Sequence, residues 1–302
     1  MVYLRMYAKE AEDRVRGWLS LSHLGLSDAD MPAIPESCKY LNISHNRLTK
    51  IPKLPAGLVS LVCSHNKLTS LCLSETSIED LNCSDNSALA VLELPTSLRQ
   101  LECRYCNLES LFVPSNCTIV NCSYNGLRHL DVQDSHWLHM LNCSHNLLKT
   151  LRIGDWPALW NFNCSYNMLK RLDSLHHSSH LSYLNIADNE FVELPAGLSD
   201  NLRLLDCTSN YIEEFPVHAP MGLSNLQCNG NPLEKLFEVM PAGKMTCFNC
   251  VGTALPMREL LEVDDTYFRR LVAYSVEIGR QRVMGRTLEW KKELLACTTH
   301  SF

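Results

Sequence analysis

The residues with the strongest chemical signature lie near the C-terminal end of the chain. Cys247-x-x-Cys250 and Cys297-x-x-His300 are two ligand pairs of the kind that hold zinc tetrahedrally. The gap between the pairs is long, and a second Cys-x-x-Cys is lacking, so packing within a cap competes with metal ligation as their role. Histidines His45, His65 and His145 could also ligate a metal, but their places in the chain do not make all three neighbours. Cys83-Ser84-Asp85 looks catalytic until its surroundings show that it is one copy of a recurring pattern. The chain has no phosphate-binding glycine loop, no H-E-x-x-H and no G-x-S-x-G. No catalytic site and no cofactor are expected.

The recurring pattern is L-x-C-S-x-N-x-L-x-x-L. It runs as LNISHNRLTKI from Leu41, LVCSHNKLTSL from Leu61, LECRYCNLESL from Leu101, LNCSHNLLKTL from Leu141 and LDCTSNYIEEF from Leu205. Ten units are clear, at steps of 19 to 22 residues, and a degenerate one begins at Trp18. Alternation of apolar and polar residues around each leading Leu predicts a short strand. One such unit cannot bury its apolar side alone, whereas stacked units share a continuous core. Asn46, Asn66, Asn86, Asn125, Asn146, Asn167, Asn189, Asn210 and Asn231 recur at one position, with Cys106 in the fourth unit. Turned inward, each would satisfy backbone groups that a bending chain cannot pair, forming a structural ladder. Unpaired and buried, such a group costs about 1–3 kcal/mol.

This periodicity resembles the leucine-rich-repeat family, whose consensus is L-x-x-L-x-L-x-x-N/C-x-L. The match covers residues 18–236. It implies an α/β solenoid, an arc with a concave parallel β-sheet and, because the units are short, extended or 3₁₀ segments on the back. Residues 1–17 are expected to form an N-terminal capping helix, with Leu4, Tyr7, Ala11 and Val15 on one side, and residues 237–302 a C-terminal helical cap.

The fifteen cysteines follow the same register. Eight of them (Cys63, Cys83, Cys103, Cys122, Cys143, Cys164, Cys207 and Cys228) fall at one core position, where a free thiol behaves as a small hydrophobe. Disulfides are therefore not expected, and a reducing compartment follows. The N-terminal residues offer no apolar run for a signal peptide, and no stretch is long and apolar enough for a membrane helix. A cytoplasmic protein is expected, or one delivered by a bacterium into a host cytosol. The formal charge of −6 argues against a nucleic-acid partner.

Two outward rows could carry function. The residue after each motif Leu (Asn42, Asn82, Asn121, Asn142, Asn163, Asn185) could form amide-to-amide bonds across the sheet. Three positions further on, His45, His65, Asp85, Tyr105, Tyr124, His145, Tyr166 and Asp188 run along one lateral edge. Arg104 interrupts the serine column beside them, and Trp137, Trp156 and Trp160 occupy connectors. Tyr, His, Trp and Arg are enriched where proteins meet. A partner-binding face is therefore expected at His65, Arg104, Tyr105, Tyr124, His145, Trp160, Tyr166 and Asp188.

Short units with L-P connectors, as in IPKLPAGLVSLVCSHNKL from Ile51 and VELPAGLSDNLRLLDCTSN from Val192, resemble those of bacterial effectors delivered into host cells. Some of those carry a C-terminal ubiquitin-ligase domain. The roughly 66 residues after the repeats are too few for one, so ligase activity is not implied. What the resemblance implies is a non-enzymatic scaffold for a host protein. Two alternatives remain: an enzyme or regulatory module in the C-terminal helical segment, and a polyanion binder using Arg280, Arg282, Arg286, Lys291 and Lys292.

Overall fold

The computed structural model describes residues 17–239 and 246–254. The chain divides into two compact units, Met1–Leu159 and Trp160–Phe302.

The first unit is built on seven three-residue strands: β1 (Trp18–Ser20), β2 (Tyr40–Asn42), β3 (Ser60–Val62), β5 (Asp80–Asn82), β7 (Gln100–Glu102), β9 (Ile119–Asn121) and β11 (Met140–Asn142). They pair in parallel in that order, each in register at its central apolar residue, as Leu41 with Leu61 and Leu61 with Leu81. Strands this short follow from the motif. The central Leu and the Cys or Ile two residues on are buried, and the residue between them is half-exposed. Two further parallel pairs lie on the opposite side of the coil: β4 (Ser70–Cys72) with β6 (Val91–Glu93), and β8 (Ser110–Phe112) with β10 (His129–Asp131). The extended back expected from short units is thus partly hydrogen-bonded as sheet.

The second unit repeats the arrangement with β12 (Asn161–Asn163), β13 (Tyr183–Asn185), β14 (Leu204–Asp206), β15 (Asn225–Gln227) and β16 (Cys247–Asn249), parallel and in register. Its core holds Phe162, Phe191, Leu205, Phe215 and Phe237, all shielded from solvent.

Several expectations need correction. Among the described residues there is no helix. The repeats do not end at Leu236, because β16 pairs with β15 and places Phe248 beside Leu226, adding a further rung inside the segment read as a helical cap. The apolar spacing of Phe248 and Cys250 fits a strand, in which every second residue faces inward. Of the capping helix expected over residues 1–17 all but Gly17, and of the helical cap expected over residues 237–302 the part from residue 255 onward, lie outside the described residues. Trp156, grouped with exposed aromatics, is fully buried and donates its indole N–H to the Val132 carbonyl at 3.2 Å.

The inward asparagines bind the coil together. In the first unit, Asn146 donates from Nδ2 to the carbonyls of Cys143 (3.0 Å), Ser144 (3.1 Å) and, one rung back, Cys122 (3.1 Å). Its Oδ1 accepts the Leu127 N–H at 3.0 Å. Asn46, Asn66, Asn86 and Asn125 repeat this pattern.

The second unit carries the same ladder. Asn167 is buried and donates to the carbonyls of Cys164 and Ser165, both at 3.1 Å, which closes its own turn. Asn189 makes the full set: it donates to Ile186 (3.2 Å), to Ala187 (3.0 Å) and, one rung back, to Cys164 (3.0 Å), and it accepts the Leu169 N–H at 3.0 Å. Its turn has Ala187 where most units have serine, and the bonding is unchanged because the partner is a backbone carbonyl rather than the side chain. Asn210 bridges to Ile186 and accepts from Phe191, and Asn231 bridges to Cys207 and accepts from Ile212. These amides satisfy up to four backbone groups each that neighbouring turns cannot pair for themselves.

Candidate functional site

The residue just before each ladder asparagine must reverse the chain direction, and it does so in the left-handed region. In the first unit this position holds His23, His45, His65, Asp85, Tyr105, Tyr124 and His145, with φ between 51° and 58°. In the second it holds Tyr166, Asp188 and Ser209 at 50° to 53°, then Gly230 at 69° and Gly252 at 73°. Left-handed backbone costs an L-residue about 1–2 kcal/mol, and glycine adopts it freely. The two glycines mark the residue that the backbone itself favours. Histidine and tyrosine occupy most of the other rungs despite that cost.

In the first unit these side chains stack. His23 faces His45 at a centroid separation of 4.0 Å, and His45 faces His65 at 4.1 Å. Tyr105 faces Tyr124 at 4.3 Å, and Tyr124 faces His145 at 4.0 Å. Asp85 lies between the two stacks, with an oxygen 3.4 Å from His65 Nε2. Register produces this order: strand spacing of about 4.8 Å brings flat rings on adjacent rungs into contact. The main chain holds it too, since the His45 N–H donates to the Ser64 carbonyl and the His65 N–H to that of Ser84, at 3.0 and 2.9 Å. The result is a ridge of ring edges presenting imidazole nitrogens and phenol hydroxyls. Tyr105 and Tyr124 remain 45% and 41% exposed.

The electrostatics follow from the stacking. Partial desolvation, then the neighbouring His65 and His23, lower the His45 pKa, and Asp85 opposes this. Desolvation and a hydrogen bond with Tyr124 raise the Tyr105 phenol above its ordinary value. Beside the ridge, Arg104 Nε lies 3.6 Å from a Glu102 oxygen. Burial raises the Glu102 carboxyl, with Arg104 pulling it back.

Among the described residues, the outward asparagines bond chiefly within their own turns rather than to one another, and Asn121 also bonds to the facing Glu102 across the sheet. Asn42 Oδ1 accepts the Ser44 N–H at 3.0 Å and its hydroxyl at 2.7 Å. Asn121, Asn142 and Asn163 do the same to the serine two residues on. Each amide closes its own turn, which buries the serine and prepares the left-handed residue that follows.

These interactions occur in a recognisable architecture. YopM from Yersinia enterocolitica WA-314 is similar to this chain at 26% identity over 84% of this chain and 69% of that one, with a TM-score of 0.51.

The chain is a leucine-rich-repeat protein.

A leucine-rich-repeat protein of Leptospira interrogans shares the fold at 17% identity, over 83% of this chain and 87% of that one, with a TM-score of 0.54. No family model and no curated protein matches the chain. Among the described residues, no helix is long and apolar enough to cross a membrane.

Within this leucine-rich-repeat protein, five of the residues expected on a binding face come together: His65, Arg104, Tyr105, Tyr124 and His145 all lie on the first unit's ridge or beside it. Tyr166 and Asp188 occupy the same position in the second unit, each immediately before a ladder amide, Asn167 and Asn189. Trp160, 47% exposed, does not join them. It precedes β12, whereas Tyr166 follows it, so the two lie at opposite ends of that strand. His23 escaped the sequence reading because its rung carries Leu24 in place of the ladder asparagine. The glycines at 230 and 252 were the signal that the position demands positive φ.

Of the four residues considered as zinc ligands, Cys247 and Cys250 are among the described residues. Cys250 is a buried core residue and Cys247 is exposed; three residues apart in extended chain, they turn to opposite faces. Cys297 and His300 lie outside the described residues. Among the described residues, no group of three His, Cys, Asp or Glu side chains could hold a metal. The stacked histidines fail because parallel ring planes direct their lone pairs in parallel.

The core thiols are held in their protonated form. Burial pushes Cys63 and Cys122 up to about 12 and also raises Cys103, Cys164, Cys207 and Cys228, while a hydrogen bond to Cys106 and then burial raise Cys83. Cys106 differs. A hydrogen bond from Cys83 lowers its pKa, and its sulfur lies 3.5 Å from the carbonyls of Cys83 and Arg104.

Proposed function

We propose that this leucine-rich-repeat protein is a non-enzymatic scaffold that binds a partner protein through the lateral ridge of its repeats. The contact residues of this reading are His65, Arg104, Tyr105, Tyr124 and His145, with Tyr166 and Asp188 as further contacts in the second unit; Trp160, at the other end of β12, is not among them. One observation carries it: exposed aromatic side chains fill positions where glycine would relieve the backbone. Strain retained at a surface signals selection for something other than stability. Large rigid rings with polar edges supply contact area at low entropic cost.

The short repeats and the likeness to YopM support a bacterial effector acting in a host cytosol. The partner is then a host protein and no cofactor is needed.

Photo-crosslinking tests the reading. A crosslinking amino acid placed at Tyr105 or Tyr124 is expected to trap the same host protein, and one placed at Phe112, on the back of the first unit, to leave it free. A Tyr105→Ala, Tyr124→Ala, Tyr166→Ala variant should lose that partner in pull-down while keeping its circular dichroism. Undiminished capture by the folded variant would remove the ridge as the binding site.

A further inference from the structure

The second unit carries a groove that the ridge does not involve. It encloses about 1060 Å³ between the connectors Val192–Leu198 and Tyr211–Pro220. Its floor is apolar and stiff. Leu194, Pro195, Phe215 and Pro220 are buried along it, and proline holds φ near its extended value. Its rim leaves apolar surface to solvent at Val192 (63% exposed), Tyr211 (60%) and Val217 (44%).

The backbone beside the groove is paired on one side only. Glu214 bridges to Lys235 and His218 to Val239, with the Phe215 N–H donating to the Lys235 carbonyl at 2.9 Å and the Val239 N–H to that of Val217 at 2.8 Å. Towards the preceding connector the pairing stops. Among the described residues, no backbone hydrogen bond joins residues 192–197 to residues 213–219. An extended guest therefore meets free peptide groups as well as apolar walls, the combination by which strand-like peptides bind sheet edges.

The charge around the groove selects the guest. Glu193, Asp200, Glu213 and Glu214 line it against His218 and Lys235. The Lys235 ammonium lies 2.6 Å from a Glu238 oxygen, so part of its charge is already compensated outside the rim carboxylates. Tyr211 adds a ring face suited to a guanidinium or ammonium group. A volume at the upper end of small-ligand sites fits several residues of peptide.

We infer that this groove is a second docking site, taking an extended segment of a partner protein in which lysine or arginine alternates with aliphatic side chains. The aliphatic side chains lie on the Leu194 and Phe215 floor and beside Val192 and Val217. The basic side chains reach Glu193, Glu213, Glu214 and the Tyr211 ring. Stiff walls lower the entropic cost of the contact.

The test uses the full chain and a fluorescein-labelled nine-residue peptide of alternating leucine and arginine, followed by anisotropy. Three controls accompany it: the same peptide with glutamate for arginine, a Glu193→Lys, Glu213→Lys, Glu214→Lys variant, and Tyr211→Ala. Saturable binding of the arginine peptide is expected. It should weaken at least tenfold with the glutamate peptide and with the charge-reversed variant, and several-fold with Tyr211→Ala. Tyr105→Ala should leave it unchanged, because the groove does not depend on the ridge. Each variant is first shown to match the wild-type circular dichroism. No saturable binding, equal binding of the two peptides or undiminished binding by folded Tyr211→Ala and charge-reversed proteins would overturn the assignment. So would a self-associating protein whose copies, in sedimentation, occupy the groove in place of the peptide.

Discussion

The rings of Tyr105 and Tyr124 lie 4.3 Å apart and 18° from parallel, although each is carried on backbone at positive φ, 51° and 55°. Stacking and backbone strain therefore oppose each other at the same two residues. An offset aromatic pair contributes about 0.5–1.5 kcal/mol beyond its burial, and the left-handed backbone costs each residue about 1–2 kcal/mol. A double-mutant cycle with Tyr105→Ala and Tyr124→Ala isolates the stack, since alanine keeps the strain. A coupling of about 0.5–1.5 kcal/mol is expected from urea unfolding. Tyr105→Gly should be less destabilising than Tyr105→Ala by about 1 kcal/mol, because glycine releases the backbone; the reverse order would show that the strain is not real.

The asparagine ladder has one weak rung, and a pair of substitutions exposes it. Asn146→Ala removes a side chain serving three carbonyls and one N–H, and at about 1–3 kcal/mol for each group left unpaired it should lower stability by at least ~2 kcal/mol. Asn189→Ala, which strips the same four bonds from the second unit, should cost a similar amount. At Cys106 a single thiol faces the carbonyls of Cys83 and Arg104. Cys106→Asn supplies two N–H donors and should raise stability by about 1 kcal/mol. Chemical denaturation of these variants checks the set, and a destabilised Cys106→Asn protein would show that this rung needs sulfur.

The buried thiols make the fold sensitive to alkali. Cys63, Cys117 and Cys122 are pushed by burial to about 12, from an ordinary value of 9.0. Above 9.0 the unfolded chain releases these protons and the native one keeps them, so unfolding is favoured as pH rises. The stability these thiols contribute is complete below pH 9.0 and falls by about 1.4 kcal/mol per thiol for each further pH unit. Thermal midpoints should be flat from about pH 7 to 8.5 and drop steeply between about pH 9 and 10.5. A midpoint unchanged at the top of that range would contradict this.

The histidine stack should titrate unevenly. Desolvation and the charges of His65 and His23 lower the His45 pKa below its ordinary value of 6.5. The native state then binds fewer protons than the unfolded chain as pH falls below 6.5, and its stability declines over that range. Proton NMR should find the His45 midpoint below 6.5. His65→Asn should move it upward by removing a like charge, and an unmoved midpoint would mean that the imidazoles do not sense one another.

The repeat period, the inward leucines and cysteines and the ladder asparagines could be read from the chain alone. Each is a local residue choice imposed by strand alternation or by a backbone group that needs a partner, and it recurs in register until it is unmistakable. The register also placed Tyr105, Tyr124 and His145 on one edge, because a column of equivalent positions is a column in space. Other features required the tertiary structure. Phe248 and Cys250 could be read as cap residues until pairing with Leu226 made them a rung, since two apolar residues carry too little periodicity to separate strand from helix. Trp156 looked like an exposed connector residue, but the way the connector folds over Val132 buried it. The amide oxygens of Asn42, Asn121, Asn142 and Asn163 turned to their own serines because a bond two residues away closes more easily than one across the sheet. That the ridge residues share positive φ, and that their rings touch, depends on dihedral angles and on the spacing between rungs, neither of which is written in the residue types.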